Sequence, residues 1–217
     1  MVAIAADIGN AISTGINPEI KKGRKFDQVL DGARDVFLRD GFEGASVDDI
    51  ARQAGVSKAT LYSYFPDKRL LFSEVARVEC NRQAQAALAG MPQDAPVELV
   101  LREAAGRIVR FFLSDFGQQM YRICVAESDR FPEIGQRFYE SGPAMMREKM
   151  SGLLAPYIAS GDLRIEDMGL AASQFAELCK SDLFVRSLCG VAGEISDADI
   201  DRVVTGAVEM FLARYGR

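Results

Sequence analysis

The stretch after Gly55 carries Ser57, Lys58, Thr60, Ser63 and Tyr64, five hydrogen-bonding side chains within eight residues. On the outer face of a helix, hydroxyls, a lysine and an aromatic tip present donors and acceptors that match base edges in a major groove. Bond-making chemistry finds no comparable set. The sequence has no histidine, which removes Ser-His-Asp and Cys-His nucleophile pairs and every histidine-based metal site. Glu127 with Asp129, and Glu166 with Asp167, are close in sequence, but such neighbours point to different faces of a helix. Cys80, Cys124, Cys179 and Cys189 form no CxxC pair and read as small core residues of a reducing compartment. No catalytic residue, cofactor or metal is expected.

A helix that presents such side chains needs a support, and the flanking residues supply one. Ser46 to Ala54 and Ser57 to Phe65 read as two short helices joined at Gly55, the helix-turn-helix pattern. Ser46 with Asp49 forms a capping-box-like start, and Ala45 with Ile50, then Val56 with Leu61, occupy the staple positions. Ala51 is small where the two helices must cross, and Pro66 ends the second one. Ahead of them, Phe26, Val29, Leu30, Ala33 and Phe37 make one apolar stripe on a helix from about Gly23 to Asp40, with Gly41 as its left-handed cap.

Charge is divided along the chain. The net charge is −5, yet residues 20–70 hold ten Lys and Arg against eight Asp and Glu. Lys21, Lys22, Arg24 and Lys25 open the first strong helix, so one end stays competent to approach phosphate while the acidic remainder avoids other polyanions. Residues 1–22 read as a flexible arm. Asp7 and Asn10 interrupt its apolar start and no basic segment precedes it, so a signal peptide is not expected and the compartment should be the cytoplasm.

The rest of the chain is helical in period, and the expected fold class is all-α, with a three-helix amino-terminal domain over 23–72 and a helical bundle over 73–217. A fourth helix spans about Asp67 to Leu88. Further helices are expected near Pro96 to Ser114, Gln118 to Ser128, Pro132 to Ser160 with a kink at Pro143, Glu166 to Leu188, and Ser196 to Tyr215. The last carries Ile200, Val203, Val204, Ala207, Val208, Phe211, Leu212 and Tyr215 as one stripe; Leu170, Phe175, Leu178, Leu183 and Phe184 mark the helix before it. These stripes suit either a dimer interface or the core of the chain itself. A reader of DNA with so few cations per copy needs two copies to reach usable specificity. The middle helices hold soft, large side chains, and Phe111, Phe112, Met120, Tyr121, Cys124, Phe138, Met145 and Met146, with Phe175 and Cys179, suit either the core of the chain or the lining of a small-molecule site. Arg107, Arg110 and Arg122 lie near them and suit either an anionic ligand or surface ion pairs.

From Gly23 to Phe72, and above all in SVDDIARQAGVSKATLYSYFPDKRLLF, the chain resembles the DNA-binding domain of the TetR/AcrR family of bacterial regulators. The resemblance implies that Ser46, Ser57, Lys58, Ala59, Thr60, Tyr62, Tyr64 and Lys68 lie at DNA. It departs from the common pattern at Ala59, often glycine, and Tyr64, often histidine. Lys58, Thr60 and Ser63 are expected to read base edges, and Ser46, Tyr64 and Lys68 to touch phosphates. The second half, from FPEIGQRFYESG through SGDL, resembles AefR-type regulatory domains. The family then implies a homodimer on a palindromic operator, a repressor released by a small hydrophobic effector. The alternative is an all-α ligand-binding or interaction protein with no DNA target.

Overall fold

The computed structural model describes residues 23–92 and 95–217; the expected arm, with Lys21 and Lys22, lies outside the described residues. The chain divides into two compact units within one helix, after Val75.

The first unit contains α1 (Arg24–Gly44), α2 (Val47–Gln53), α3 (Lys58–Tyr64) and the start of α4 (Lys68–Ala89). The regular part of α1 stops at Gly41, whose φ of 71° breaks the helix where a left-handed cap was expected. Phe26, Val29, Leu30, Ala33 and Phe37 are all buried. α1 packs on α2, Ile50 and Leu61 of the two short helices are buried, and Phe72 meets Phe37 and Phe42 edge-on while those two rings stack, with centroids 5.2–6.1 Å apart.

The second unit holds α5 (Val97–Leu113), α6 (Asp115–Ser128), α7 (Pro132–Tyr139), a π-helical turn (Glu140–Ala144), α8 (Met145–Ser160), α9 (Met168–Lys180), α10 (Leu183–Leu188) and α11 (Asp197–Tyr215). α5 packs between α9 and α11, and α8 covers α9. The expected kink at Pro143 takes the form of that π turn, since proline cannot donate to the carbonyl four residues back. The carboxyl terminus is pinned to the turn after α8 by Arg164 N donating to Tyr215 O (2.8 Å) and Arg217 N to Asp162 O (3.1 Å). Among the described residues the only β feature is an isolated bridge, Leu163 to Gly216.

One expectation needs correction. The helix from Glu166 to Leu188 is not continuous. It breaks at Ser181 and Asp182, where Asp182 takes φ 62°, and Asp182 Oδ2 accepts from Arg202 of α11 at 2.6 Å. A long-range ion pair holds a turn that local periodicity reads straight through. Of the two uses open for the α11 stripe, the core takes its buried side: Val203, Val204, Ala207, Val208, Phe211 and Tyr215 are buried within this chain, in a common core with Leu101, Ala105, Val109, Phe175 and Cys179.

Candidate nucleic-acid interface and effector region

α3 is built by its neighbours. Gly55 supplies the positive φ (64°) of the turn between α2 and α3. Gly32 on α1 allows the end of α2 to approach: a Cβ there would lie 2.7 Å from Ala54 N. Ser46 caps α2, its Oγ accepting from Asp49 N at 3.0 Å and donating to Asp49 Oδ2 at 2.6 Å. That hydrogen bond from Ser46 holds the Asp49 carboxyl below its ordinary range, with Arg52 adding to it. Ser57 caps α3 in the same way, accepting from Thr60 N at 3.1 Å.

With Leu61 and Phe65 turned inward, the other face of α3 is open. Ser57, Lys58, Ala59, Tyr62 and Ser63 are exposed, and Thr60 and Tyr64 are half-buried. The expected base-reading side chains therefore share one accessible surface. In the absence of DNA they are engaged locally. Ser57 Oγ and Thr60 Oγ1 lie 2.9 Å apart, Ser63 Oγ donates to Thr60 O at 2.6 Å, and the Lys58 ammonium pairs with Asp48 of α2. Tyr64 is set edge-on against Phe26, centroids 5.5 Å apart, so α1 orients its ring. Lys68 is placed differently from the rest: its Nζ donates to Phe42 O (2.7 Å) and Ala45 O (3.1 Å) and stands 4.5 Å above the Phe42 ring. Asp48, Gly32 and Phe26 are positioning residues that sequence reasoning missed. Phe26 was visible as part of the stripe, but nothing local marks Asp48 or Gly32, because their partners are ten or more residues away.

In the second unit the candidate effector residues fall into two groups. An aromatic run links Phe111, Phe112, Phe184, Tyr121 and Phe138, with successive centroids 5.1–6.2 Å apart; Phe184 is buried and the other four are half-buried. Met120 and Cys124 are buried on α6, in contact with each other at 3.8 Å, and Met145 and Met146 are half-buried on α8. Phe175 and Cys179 belong instead to the core, where Phe175 packs on Phe211. Lys180 ends α9 with its ammonium 5.3 Å from the centroid of Phe112 and paired with Glu177 at 2.5 Å. The three arginines near this region have partners within the chain: Arg107 with Glu103 and Gly90 O, Arg110 with Asp197, and Arg122 with Leu188 O. Burial pushes the thiols of Cys80, Cys124 and Cys179 up to about 12, which makes them inert packing groups, and Cys189 is exposed. Among the described residues no cluster of side chains suits a metal ion, and no helix is long and apolar enough to cross a membrane.

Comparison with known proteins follows the same division. Residues 29–75 match the bacterial regulatory proteins of the tetR family, and residues 99–217 match the carboxyl-terminal domain of AefR-like transcriptional repressors. A TetR-family transcriptional regulator from Mesorhizobium loti superposes with a TM-score of 0.82 at 26% identity, over 92% of this chain and 100% of that one. The flavonoid-responsive regulator FrrA gives 0.71 at 32% identity, over 90% of this chain and 98% of its own. The HTH-type transcriptional repressor AcnR of Corynebacterium diphtheriae is 35% identical over 69 residues, 32% of this chain and 35% of AcnR. The chain thus matches about a third of the length of that curated repressor. With an open helix-turn-helix unit, an all-α second unit and both family matches in register with them, this chain belongs to the TetR family of bacterial transcriptional regulators, a non-enzymatic, DNA-binding class.

Proposed function

We propose that the protein is a repressor that binds a palindromic operator as a homodimer and leaves it when a small apolar effector binds. The observation that carries this reading is the open face of α3, with Ser57, Lys58, Thr60 and Ser63 displayed beside Tyr62 and Tyr64. In this reading residues 23–72 form the DNA-binding domain, with Lys58, Thr60 and Ser63 at base edges and Ser46 and Tyr64 at phosphates. Ala59 leaves room for close approach. Residues 73–217 sense the effector and pair the two copies, and a DNA target places the protein in the cytoplasm.

The aromatic run from Phe112 through Phe184 and Tyr121 to Phe138 supports a planar, largely apolar effector. The flavonoid response in the name of FrrA, at 32% identity, favours the same chemistry. Such a ligand releases DNA only through its higher affinity for the state that does not fit the operator.

The test is selection of bound duplexes from a random pool. An inverted repeat with half-sites about 34 Å apart, or a multiple of it, is the expected outcome. No enrichment at ~50 mM salt, where phosphate contacts are strongest, refutes DNA binding. Flavonoids titrated onto the selected complex then test the effector class. A complex indifferent to the series, while other apolar compounds release it, refutes the aromatic assignment alone.

A further inference from the structure

Lys68 has a role that its place in the DNA-binding segment does not suggest. It opens α4, but its ammonium turns toward the connection between α1 and α2. Two of its three protons go to the carbonyls of Phe42 (2.7 Å) and Ala45 (3.1 Å), and the face of Phe42 lies 4.5 Å beneath it. Lys68 is half-buried, and Phe42 and Ala45 are buried. Moving the ammonium to a phosphate would leave two carbonyl oxygens without this donor.

Ala45 immediately precedes Ser46, the cap of α2, and its own N–H donates to Gly41 O. The connection therefore has one fixed end at the break in α1 and another at the cap of α2, with Lys68 holding both carbonyls between them. α2 in turn carries α3 through the turn at Gly55 and the packing of the two helices on each other, with Ile50 and Leu61 both buried. Asp48, in the first turn of α2, holds Lys58.

We infer that Lys68 is a positioning residue, which fixes the start of α2 and through it the aim of α3, and that it makes no phosphate contact. The inference rests on the reading of α3 as the DNA-reading helix. It predicts a loss of discrimination with no loss of electrostatics, because geometry selects base edges whereas charge binds any sequence.

The experiment compares wild type with Lys68→Met on the duplex recovered by selection and on a random duplex, across a salt series. Affinity for the selected duplex should fall about tenfold, as for loss of charge-assisted hydrogen bonds, while that for random duplex holds within about twofold and the slope of log K against log salt is unchanged. In DNA-free protein, amide exchange should quicken at residues 45–50 specifically. Equal loss on both duplexes with the slope reduced by about 0.9 identifies a phosphate contact and overturns the inference. A lower melting temperature with unchanged discrimination in the folded protein makes Lys68 merely structural and also overturns it. Should Lys68→Met not fold, Lys68→Arg serves: a phosphate contact survives replacement by any cation, so undiminished discrimination in Lys68→Arg together with unchanged exchange at 45–50 counts against positioning. Wild-type protein that enriches no duplex overturns the DNA reading and this inference together, but leaves the exchange result as a separate measure of the tether.

Discussion

At the scale of single residues, the polar face of α3 is not waiting empty. Lys58 is held by Asp48, and Ser57, Thr60 and Ser63 bond among themselves. In the proposed reading, binding exchanges these contacts for bonds to bases, so the net gain per contact is smaller than its geometry suggests. Lys58→Ala should weaken the selected duplex about tenfold more than random DNA if Lys58 reads a base, as measured by competition binding. Equal loss would reassign it to phosphate. Asp48→Asn frees the same ammonium and removes a carboxylate facing a polyanion. It should tighten binding to any duplex by a few-fold, on the order of one exposed ion pair, and unchanged affinity for random DNA would show that Asp48 does not restrain Lys58. The exposure of the polar face of α3 was legible from its residue types. Its internal pairing was not, because Asp48 and Lys58 are ten positions apart.

Elements are placed here by close approach as much as by periodicity. Gly32 lies on the buried face of α1 against the backbone of Ala54, and an added methyl group there meets N, Cα and Cβ at 2.7–2.8 Å. Gly32→Ala should push α2 off α1, cost about 1–3 kcal/mol as overpacking does, and weaken the selected duplex beyond what the stability loss explains. Thermal melting and binding at a temperature where the variant is folded check the two parts; a variant as stable as wild type would show that α2 tolerates a wider seat. The caps of α2, α3 and α11 were readable from Ser46, Ser57 and Ser196, because capping is a local device, and the structure completes the box at Ser196 with Asp199. The break between α9 and α10 was unreadable for the opposite reason: Asp182 is held out of the helix by Arg202, twenty residues away.

For the whole molecule, two consequences follow. The buried side of α11 packs within the chain, and Leu170 (53%), Val185 (59%) and Met210 (61%) on α9, α10 and α11 are among the apolar side chains left exposed for the proposed partner copy. Leu170→Glu with Met210→Glu should give a monomer in sedimentation and reduce operator affinity by at least about a hundredfold, since the second half-site is lost; an unchanged dimer would move the interface elsewhere. The second consequence concerns pH. Among the described residues, hydrogen bonds hold carboxyls below their ordinary range: Asp40 by Arg39, Asp49 by Ser46, Asp67 by Arg69, Asp182 by Arg202 and Asp199 by Ser196. Each binds its proton less readily folded than unfolded, so its contribution is present above the unfolded value near ~3.9 and is lost as pH falls through the lower folded one. With no histidine in the chain and the buried thiols pushed to about 12, the melting temperature should stay level from about pH 8 to pH 6 and fall only below about pH 4. A transition between pH 6 and 7 would contradict this.

What the residues determined by themselves is local: helical period, caps, the turn at Gly55 and the polar outer face of α3, each set by side chains within four positions of one another. The absence of histidine and the small basic excess over 20–70 likewise needed no coordinates. Only the tertiary structure decided which of two uses each longer-range group has. It buried one side of the α11 stripe inside the chain, placed Phe175 and Cys179 in the core against which Phe112 packs, and turned Lys68 onto the carbonyls of Phe42 and Ala45. An apolar stripe or a lysine has the same period and charge whichever partner it meets, and that partner is fixed by packing across the fold.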